Sequence, residues 1–286
     1  MDYPTPVVSA EWLHHHLNDD HVRVFDCRFA LMDPSLGIRQ YQSGHIPGAM
    51  HLDLNHDLSS PVQPHGGRHP LPDIGMLAET LGRCGVQSQT AGVQPTFVVA
   101  YDDSRFAFAA RLWWLLRYLG HDQVAVLDGG LQGWQNAGYE VTQAVPTHAT
   151  KTFVPNVRSH LVVDIDEVKQ RKDLPKVMLV DSREGDRYRG EREPIDPVAG
   201  HIPGALNLFW KEVTDDNSYV RRVEEQRSRW QALDPTRPNK TNDADEIIVY
   251  CGSGVTACVN LLSLELAKIS SGKLYSGSWS DWCSYS

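Results

Sequence analysis

The residues with the clearest chemical potential form one short loop, Cys251-Gly252-Ser253-Gly254-Val255-Thr256-Ala257. The apolar run before it predicts a buried strand, and the amphipathic pattern after it predicts a helix. Gly252 and Gly254 allow backbone angles that other residues avoid, so several N–H groups can turn inward around the cysteine sulfur. These donors and the helix N-terminus favour a negative charge. The pattern therefore predicts a nucleophilic thiolate at Cys251.

Cysteine is often only a small buried hydrophobe, and three other cysteines fit that alternative. Cys27, Cys84 and Cys258 each lie inside a strand or helix pattern, whereas Cys251 stands at the strand-to-helix turn itself. The chain has five cysteines and no C-x-x-C pair, which fits neither a disulfide framework nor a zinc site. Reduced thiols in a cytoplasmic protein are the simplest explanation.

Three sequence elements occur twice in the same order, which indicates a duplicated domain rather than a short tandem repeat. The pairs are residues 44–49 with 200–205, 24–28 with 179–183, and 127–134 with 274–282. Between the copies, residues 144–157 contain two prolines and no apolar period, as in a linker. We therefore predict an N-terminal domain at 1–143, a linker at 144–157 and a C-terminal domain at 158–286.

Each copy alternates short, continuously apolar runs with helical patterns, which is typical of βαβ units. Residues 96–100 precede a helical pattern at 106–119, and residues 246–250 precede one at 255–268. The predicted fold class is α/β, with a mainly parallel sheet flanked by helices in each domain. Aligning the two apolar runs places Asp102 opposite Cys251. The first domain therefore has no thiol at this loop, and catalysis is expected in the second.

Over essentially its whole length, the chain resembles the two-domain rhodanese and 3-mercaptopyruvate sulfurtransferase family. The paired Gly-His-Ile-Pro-Gly-Ala segments, the Asp-x-Arg elements and the Cys-Gly-Ser-Gly-Val-Thr loop carry the resemblance. It implies two tandem rhodanese-like domains, an inactive N-terminal one and a catalytic C-terminal one, with the active site facing the interface between them. It also implies that Cys251 carries sulfur as a persulfide, surrounded by Gly252, Gly254, Val255 and Thr256.

In this family the types of residue after the cysteine differ according to the preferred sulfur donor. Thiosulfate-type members place basic residues there, which suit a doubly charged anion, whereas Gly252 and Ser253 are typical of mercaptopyruvate-type members. The resemblance also implies that Arg187 grips the donor, and a planar guanidinium is well suited to a carboxylate. We therefore expect sulfur transfer from 3-mercaptopyruvate.

One position departs from the family pattern. Mercaptopyruvate-type relatives usually carry a second arginine shortly after a Glu-Pro pair, but Ile195 and Asp196 follow that pair here. Arg189 or Arg192 could substitute, and spacing alone does not decide between them. The missing guanidinium keeps thiosulfate open as the donor.

A proton source is the remaining requirement, because cleaving the carbon–sulfur bond of mercaptopyruvate leaves an enolate. Similar enzymes use a Ser-His-Asp relay, and the matching residues are Ser253, His69 and Asp53. In the alternative, His69 only hydrogen-bonds a loop and Asp53 pairs with Arg68. The expected cycle has two half-reactions. In the first, pyruvate or sulfite leaves. In the second, the outer sulfur passes to a thiol, a protein thiol or cyanide. Neither step needs a metal or an organic cofactor.

Three other function classes compete with this prediction. A cysteine-dependent phosphatase needs an arginine six positions after the cysteine, where this chain has Ala257. A non-catalytic persulfide carrier or thiol sensor would use the same Cys251 without turning over a small donor. A degenerate interaction module is poorly supported because the loop cysteine is present.

Charge and hydropathy narrow the range of partners. The net charge of −9 argues against nucleic-acid binding, which needs a basic surface. No apolar run approaches the ~20 residues of a membrane span, and residues 1–6 lack the pattern of a secretory signal. We expect a cytoplasmic enzyme with small-molecule sulfur donors and thiol acceptors, and no association with nucleic acid or membrane.

Overall fold

The computed structural model describes residues 6–88, 92–233, 246–269 and 272–285. These residues form two compact units. The first unit comprises residues 6–60, 71–88, 92–158 and 216–220, and the second comprises 61–70, 159–215, 221–233, 246–269 and 272–285. Each unit therefore includes one short segment from the other half of the sequence.

The first unit is a five-stranded parallel sheet with helices. Its strands are β1 Val7–Val8, β2 Val22–Asp26, β3 Ala49–His51, β4 Phe97–Tyr101 and β5 Val124–Leu127. Its helices are α1 Ala10–His16, α2 Leu36–Ser43, α3 Ile74–Arg83, α4 Ala109–Tyr118 and α5 Gly130–Asn136. The strand order is β1-β5-β4-β2-β3, and every neighbouring pair is parallel. All five residues of β4 are buried, because a parallel sheet is covered on both faces.

The second unit repeats this architecture. Its strands are β6 Val162–Val163, β7 Val177–Asp181, β8 Leu206–Asn207, β9 Glu246–Tyr250 and β10 Gly272–Tyr275. Its α-helices are α6 Ile165–Arg171, α7 Gly185–Tyr188, α8 Val223–Gln231, α9 Ala257–Ala267 and α10 Ser278–Cys283. Two 3-10 turns lie at Ser159–Leu161 and Trp210–Val213. The strand order β6-β10-β9-β7-β8 is the order of the first unit, and all pairs are again parallel. The predicted α/β class with two parallel sheets is confirmed.

The repeated Asp-x-Arg element is the same buried clamp in both units. Arg28 holds the carboxylate of Asp26 through Nε and Nη2, with an Nη2–Oδ2 distance of 2.6 Å. Arg183 holds Asp181 through the same two nitrogens and at the same Nη2–Oδ2 distance of 2.6 Å. Each Nη2 also donates to the carbonyl of the glycine that opens the repeated Gly-His-Ile-Pro segment. The clamp ties that segment to the end of a central strand.

The segment predicted as a linker packs against the first unit. The N–H of Lys151 donates to the carbonyl of Gly82 at 2.9 Å, and the N–H of Asn156 donates to the carbonyl of Leu119 at 2.8 Å. Phe153 between them is buried. Within the described ranges, every helix is too short or too polar to cross a bilayer.

Candidate active site

The loop after β9 begins with Cys251, which is only 2% exposed. Three backbone groups fix it to the start of α10. The N–H of Cys251 donates to Oγ of Ser278 at 3.1 Å, and its carbonyl accepts from the N–H of Trp279 at 3.0 Å. The N–H of Ser280 donates to the carbonyl of Gly252 at 2.9 Å. The cysteine is therefore held in place by its own main chain.

The rest of the loop presents main-chain donors. Gly254 has a φ of +76°, and a methyl group there would clash with the carbonyl oxygen of Ser276. The loop can take this left-handed turn against its neighbour because glycine has no side chain. In the described part of the chain, the N–H groups of Val255, Thr256 and Ala257 have no protein acceptor. Since α9 begins at Ala257, these donors lie at the positive end of a helix.

The equivalent loop of the first unit, after β4, binds the carboxylate of Asp102. Asp102 follows β4 as Cys251 follows β9, and its carbonyl accepts from the N–H of Leu131 as that of Cys251 accepts from Trp279. The carboxylate of Asp102 accepts four backbone N–H groups at 2.8–3.1 Å, those of Ser104, Phe106, Phe108 and Ala109. Burial raises the pKa of Asp102, and these N–H bonds oppose that shift. The equivalent loop of the second unit is thus suited to a negatively charged sulfur.

Two residues of the predicted relay lie together in the second unit. Nδ1 of His69 is 2.7 Å from Oγ of Ser253, and both side chains are buried. His69 reaches this place because residues 61–70 fold onto α10. The N–H of Gly66 donates to Oδ1 of Asp281 at 2.7 Å, and the N–H of Arg68 donates to Oγ of Ser280 at 3.1 Å.

Asp53, the third residue of the predicted relay, lies in the first unit. Its Oδ1 accepts the N–H groups of Asn55 at 2.7 Å and His56 at 3.0 Å. This carboxylate therefore stabilises a local turn, and its part in a relay stays a prediction.

Arg187 begins a buried network of ion pairs. Its Nε and Nη2 donate to the two carboxylate oxygens of Glu193 at 3.2 and 2.6 Å, and Nη2 is also 3.3 Å from Oδ2 of Asp196. Glu193 in turn accepts from Nη1 of Arg183 at 3.2 Å. The side chains of Glu193 and Asp196 are only 4% and 2% exposed. The bidentate edge of Arg187 is thus already occupied by a protein carboxylate.

Arg68 joins the same network of ion pairs through Asp196. Its Nη1 forms an ion pair with Oδ1 of Asp196, so one carboxylate joins the guanidinium groups of Arg68 and Arg187. Burial lowers the pKa of Arg68, negative charge on the sulfur of Cys251 acts in the opposite direction, and the charge of Arg187 adds to the lowering. Arg68 therefore pairs with Asp196, 128 positions along the chain, and this contact was not predicted from the sequence.

The two arginines considered as substitutes for the missing guanidinium are engaged elsewhere. Arg189 pairs with Glu191 at 2.7 Å, and both side chains are 57% exposed. Arg192 pairs with Asp186 at 2.6 Å and with Glu184. Sequence reasoning missed Glu193, Asp196 and Arg68 as parts of the site. The available signals were two acidic residues shortly after the arginine-rich stretch 183–192 and an arginine directly before the relay histidine.

Comparison with known protein families identifies the family of the two units. The family described as "Rhodanese-like domain" matches residues 9–137 and again residues 164–285. The chain belongs to the rhodanese-like family. The two matches confirm the predicted pair of rhodanese-like domains.

Individual relatives of this rhodanese-like chain carry sulfurtransferase names. A Pseudomonas aeruginosa protein provisionally named 3-mercaptopyruvate sulfurtransferase is 44% identical over 278 residues, which cover 96% of this chain and 94% of that protein. An Arabidopsis thaliana thiosulfate/3-mercaptopyruvate sulfurtransferase is 31% identical, covering 97% of this chain and 84% of its own length. The Escherichia coli crystal structure of SseA, described as a 3-mercaptopyruvate sulfotransferase, superposes with a TM-score of 0.81 at 29% identity, covering 96% and 99%. The chain is therefore an enzyme of the sulfurtransferase class.

Proposed function

We propose that this chain transfers sulfur from 3-mercaptopyruvate to a thiol or cyanide through a persulfide on Cys251. The observation that carries the choice of donor is the charge balance beside the loop. Three buried or half-buried arginines face three buried carboxylates, and the loop itself contains no basic residue. The residues are Arg68, Arg183 and Arg187 against Asp181, Glu193 and Asp196. A site whose charges already balance has no unpaired counter-ion for either donor, so burying the single charge of a carboxylate costs less there than burying the two charges of thiosulfate.

The first half-reaction forms the persulfide. The thiolate of Cys251 attacks the sulfur of the donor, a sulfur–sulfur bond forms, and the carbon–sulfur bond breaks. The bonding electron pair goes to carbon, which leaves the enolate of pyruvate. The proton of the donor's own thiol ends on that carbon, so the products are pyruvate and a deprotonated persulfide. Charge and atoms balance without an oxidant, a reductant or a metal.

The proton needs a path from sulfur to carbon, and Ser253 with His69 supplies it. Their 2.7 Å hydrogen bond lies in a buried setting, where a hydroxyl and an imidazole can pass a proton between them. Asp53 is the proposed third member, with the role of fixing the imidazole orientation.

The second half-reaction returns the enzyme to its starting state. The N–H groups of Val255, Thr256 and Ala257 support the negative outer sulfur until an acceptor arrives. A thiol, a protein thiol or cyanide then attacks that sulfur, and the Cys251 thiolate leaves. We place this chemistry in the cytoplasm, in the domain at 158–286, and propose that the domain at 1–143 is not catalytic because Asp102 stands where the nucleophile would be.

Thiosulfate is the second candidate donor. Its support is the name of the Arabidopsis relative and the presence of three guanidinium groups near one loop. In that reaction sulfite leaves with the electron pair of the donor's sulfur–sulfur bond, and the relay is not needed. A non-catalytic carrier would show neither reaction.

The test is steady-state thiocyanate formation from each donor with cyanide as the acceptor. Wild type, Cys251→Ser and Cys84→Ser are compared, since Cys84 is a half-buried cysteine of the other unit. We expect a kcat/KM for 3-mercaptopyruvate at least about tenfold above that for thiosulfate, which corresponds to about 1.4 kcal/mol of discrimination. Cys251→Ser should be inactive, and Cys84→Ser should match wild type.

Two results would overturn the proposal. A preference for thiosulfate would show that the charge balance does not select the donor. Activity in Cys251→Ser, or no turnover of either donor by wild type, would remove the catalytic role of the loop. Mass spectrometry of the donor-treated enzyme without acceptor adds a direct check, since one extra sulfur should map to the peptide that contains Cys251.

A further inference from the structure

The first unit has a cleft of about 640 Å³ at the carboxyl edge of its sheet. Its lining includes Arg28 after β2, Asp103 after β4, Leu36 and Gln40 of α2, and Leu131 of α5. In open parallel sheets, ligands bind beyond this edge. The catalytic loop follows the corresponding edge of the second unit, so the repeated positions of the two units can be compared.

Arg28 lines this cleft with a guanidinium that is almost completely buried. Its side chain is only 5% exposed. Nε and Nη2 hold Asp26, and Nη2 also donates to the carbonyl of Gly44. Among the residues that the structure describes, Nη1 of Arg28 has no acceptor. Buried donors are normally paired, so a ligand in the cleft can supply the acceptor that this nitrogen lacks.

In the second unit, the corresponding nitrogen binds a carboxylate. Arg183 makes the same clamp on Asp181 through Nε and Nη2, and its Nη1 donates to Oε2 of Glu193 at 3.2 Å. Glu193 also accepts from Nε and Nη2 of Arg187 at 3.2 and 2.6 Å. Beside the repeated clamp, the fold therefore places a carboxylate that two donor side chains share.

The first unit has no such carboxylate because its connection is shorter. The histidine of the repeated segment lies four positions after Tyr41 in the first unit and thirteen positions after Tyr188 in the second. The acidic residue of the second unit lies within these additional positions. Gln40 comes directly before Tyr41, as Arg187 comes directly before Tyr188. A carboxylate that enters the cleft would therefore meet two donors, the free nitrogen of the clamp and the amide of Gln40.

Asp103 gives the cleft a second charged group close to the first. Its Oδ2 is 3.4 Å from Nε2 of Gln40. Burial acts to lower the pKa of Arg28, but the charges of Asp26 and Asp103 help to raise that pKa above its usual value. Asp103 is exposed, and within the described ranges it forms no ion pair. Its carboxylate is therefore available to a ligand.

The charges around the cleft favour a ligand that carries both signs. Arg28 is paired with Asp26, and Arg39 is paired with Asp33, so the charge of Asp103 is left over. A plain carboxylate would be repelled by Asp103, and a plain amine would leave the nitrogen of Arg28 without an acceptor. A molecule with an ammonium group next to its carboxylate would bind both groups at once.

We propose that the cleft of the first unit binds an α-amino acid with an apolar side chain. Nη1 of Arg28 and the amide of Gln40 hold the carboxylate, Asp103 holds the ammonium group, and Leu36 and Leu131 provide apolar surface for the side chain. The main-chain N–H groups of the neighbouring loop take no part, because the loop's own buried aspartate already binds them. The site lies within the first unit, so this inference does not depend on which sulfur donor the second unit uses.

The experiment is a calorimetric titration of the full chain with L-leucine, which contains no sulfur and so cannot act as a donor or an acceptor. Two fragments of leucine serve as matched probes. Isocaproate lacks the ammonium group, and isoamylamine lacks the carboxylate. We expect one molecule of L-leucine to bind per chain. Each fragment should bind at least about tenfold more weakly, because it loses one charge-assisted contact.

Three variants assign the binding to this cleft. Asp103→Asn should weaken the binding of L-leucine about tenfold without weakening that of isocaproate, because only L-leucine carries the ammonium group. Gln40→Met should weaken the binding of both about three- to tenfold, because both share the carboxylate. Glu79→Gln removes an exposed carboxylate of the same unit outside the cleft and should match wild type. Arg28 is left unchanged, since its clamp on Asp26 supports the fold of the unit.

Three results would overturn the inference. The first is the absence of saturable L-leucine binding by wild type. The second is equal affinity for L-leucine and isocaproate, which would leave Asp103 without a role. The third is an unchanged affinity for L-leucine in Asp103→Asn, which would place the binding outside this cleft. A chain that turns over neither sulfur donor would fail the proposed function and still bind L-leucine, so the two proposals fail separately.

Discussion

Gly254→Ala tests whether the catalytic loop depends on a backbone turn that only glycine allows. The φ of +76° is a left-handed conformation, which costs a residue with a Cβ atom about 1–2 kcal/mol. The added methyl group would also lie closer to the carbonyl oxygen of Ser276 than the 3.0 Å that real Cβ contacts respect, and that oxygen belongs to main chain that cannot rotate away. Forcing an atom into such a packed position costs about 1–3 kcal/mol. We expect Gly254→Ala to lower the free energy of unfolding by about 2–5 kcal/mol.

Gly252→Ala is the matched control, two positions earlier in the same loop. The φ of Gly252 is outside the left-handed region, and the first atom that its methyl group meets is the end of a flexible side chain, Nη2 of Arg68 at 3.0 Å. We expect a change of less than about 1 kcal/mol in the free energy of unfolding. The methyl group would nevertheless lie directly after the nucleophile and 3.8 Å from Nη2 of Arg187, so KM for the donor should rise. The two variants should therefore separate stability from donor binding.

The assay is urea unfolding followed by tryptophan fluorescence, with donor kinetics on the same samples. The two units could unfold in separate transitions, and the loss should fall on the transition of the second unit. A Gly254→Ala variant within about 0.5 kcal/mol of wild type would refute the backbone argument, since ordinary surface changes reach that size. Equal destabilisation by Gly252→Ala would refute the distinction between the two positions.

Three further predictions concern charge, proton transfer and thiol reactivity. Asp196→Asn removes one negative charge next to two guanidinium groups. The ratio of kcat/KM for thiosulfate to kcat/KM for 3-mercaptopyruvate should therefore rise by about tenfold. An equal change of kcat/KM for both donors would contradict the charge-balance argument. Ser253→Ala should lower kcat with 3-mercaptopyruvate by about 10²-fold or more, because the proton path through His69 is cut. The transfer of sulfur from a preformed persulfide to cyanide should persist in this variant. A fall in kcat of less than about threefold would exclude the relay. Burial, with Asp57 nearby, raises the pKa of Cys84 to about 11, so its thiolate fraction is small at pH 8 and grows with pH. Alkylation of Cys84, followed by peptide mass spectrometry, should therefore speed up about tenfold per pH unit between pH 8 and 10, and a flat profile would argue against this pKa.

The parts of the fold that the sequence predicts are those with strong local patterns. The buried strand before Cys251 is a continuous apolar run, and its position at the end of that run puts the nucleophile at the carboxyl edge of the sheet. The predicted ends of the helices are less accurate than the predicted positions of the strands. The helix predicted from residue 106 begins at Ala109, because the preceding N–H groups bind the carboxylate of Asp102 in a loop that needs positive φ at Arg105 and Phe106.

The contacts that could not be predicted join distant segments. Residues 61–70 contain no periodic pattern, so nothing local indicated that they pack on α10, where Gly66 bonds Asp281 more than two hundred positions later. The same holds for the ion pair of Arg68 with Asp196. Arg187 was expected to grip the donor, but its stronger edge is occupied by Glu193, six positions away in an irregular loop. Loop geometry of this kind depends on tertiary packing rather than on residue type.

The carboxylate of Asp102 acts as a permanent intramolecular ligand of the first unit. It is tethered by two single bonds to the backbone that it binds, so its effective concentration at the four N–H groups exceeds that of any free anion in solution. A small anion cannot compete for that loop at ordinary concentrations. Titrations of this chain with a small anion should therefore count one loop site per molecule although the fold contains two such loops. A single aspartate thus converts a duplicated anion site into a stoichiometry of one.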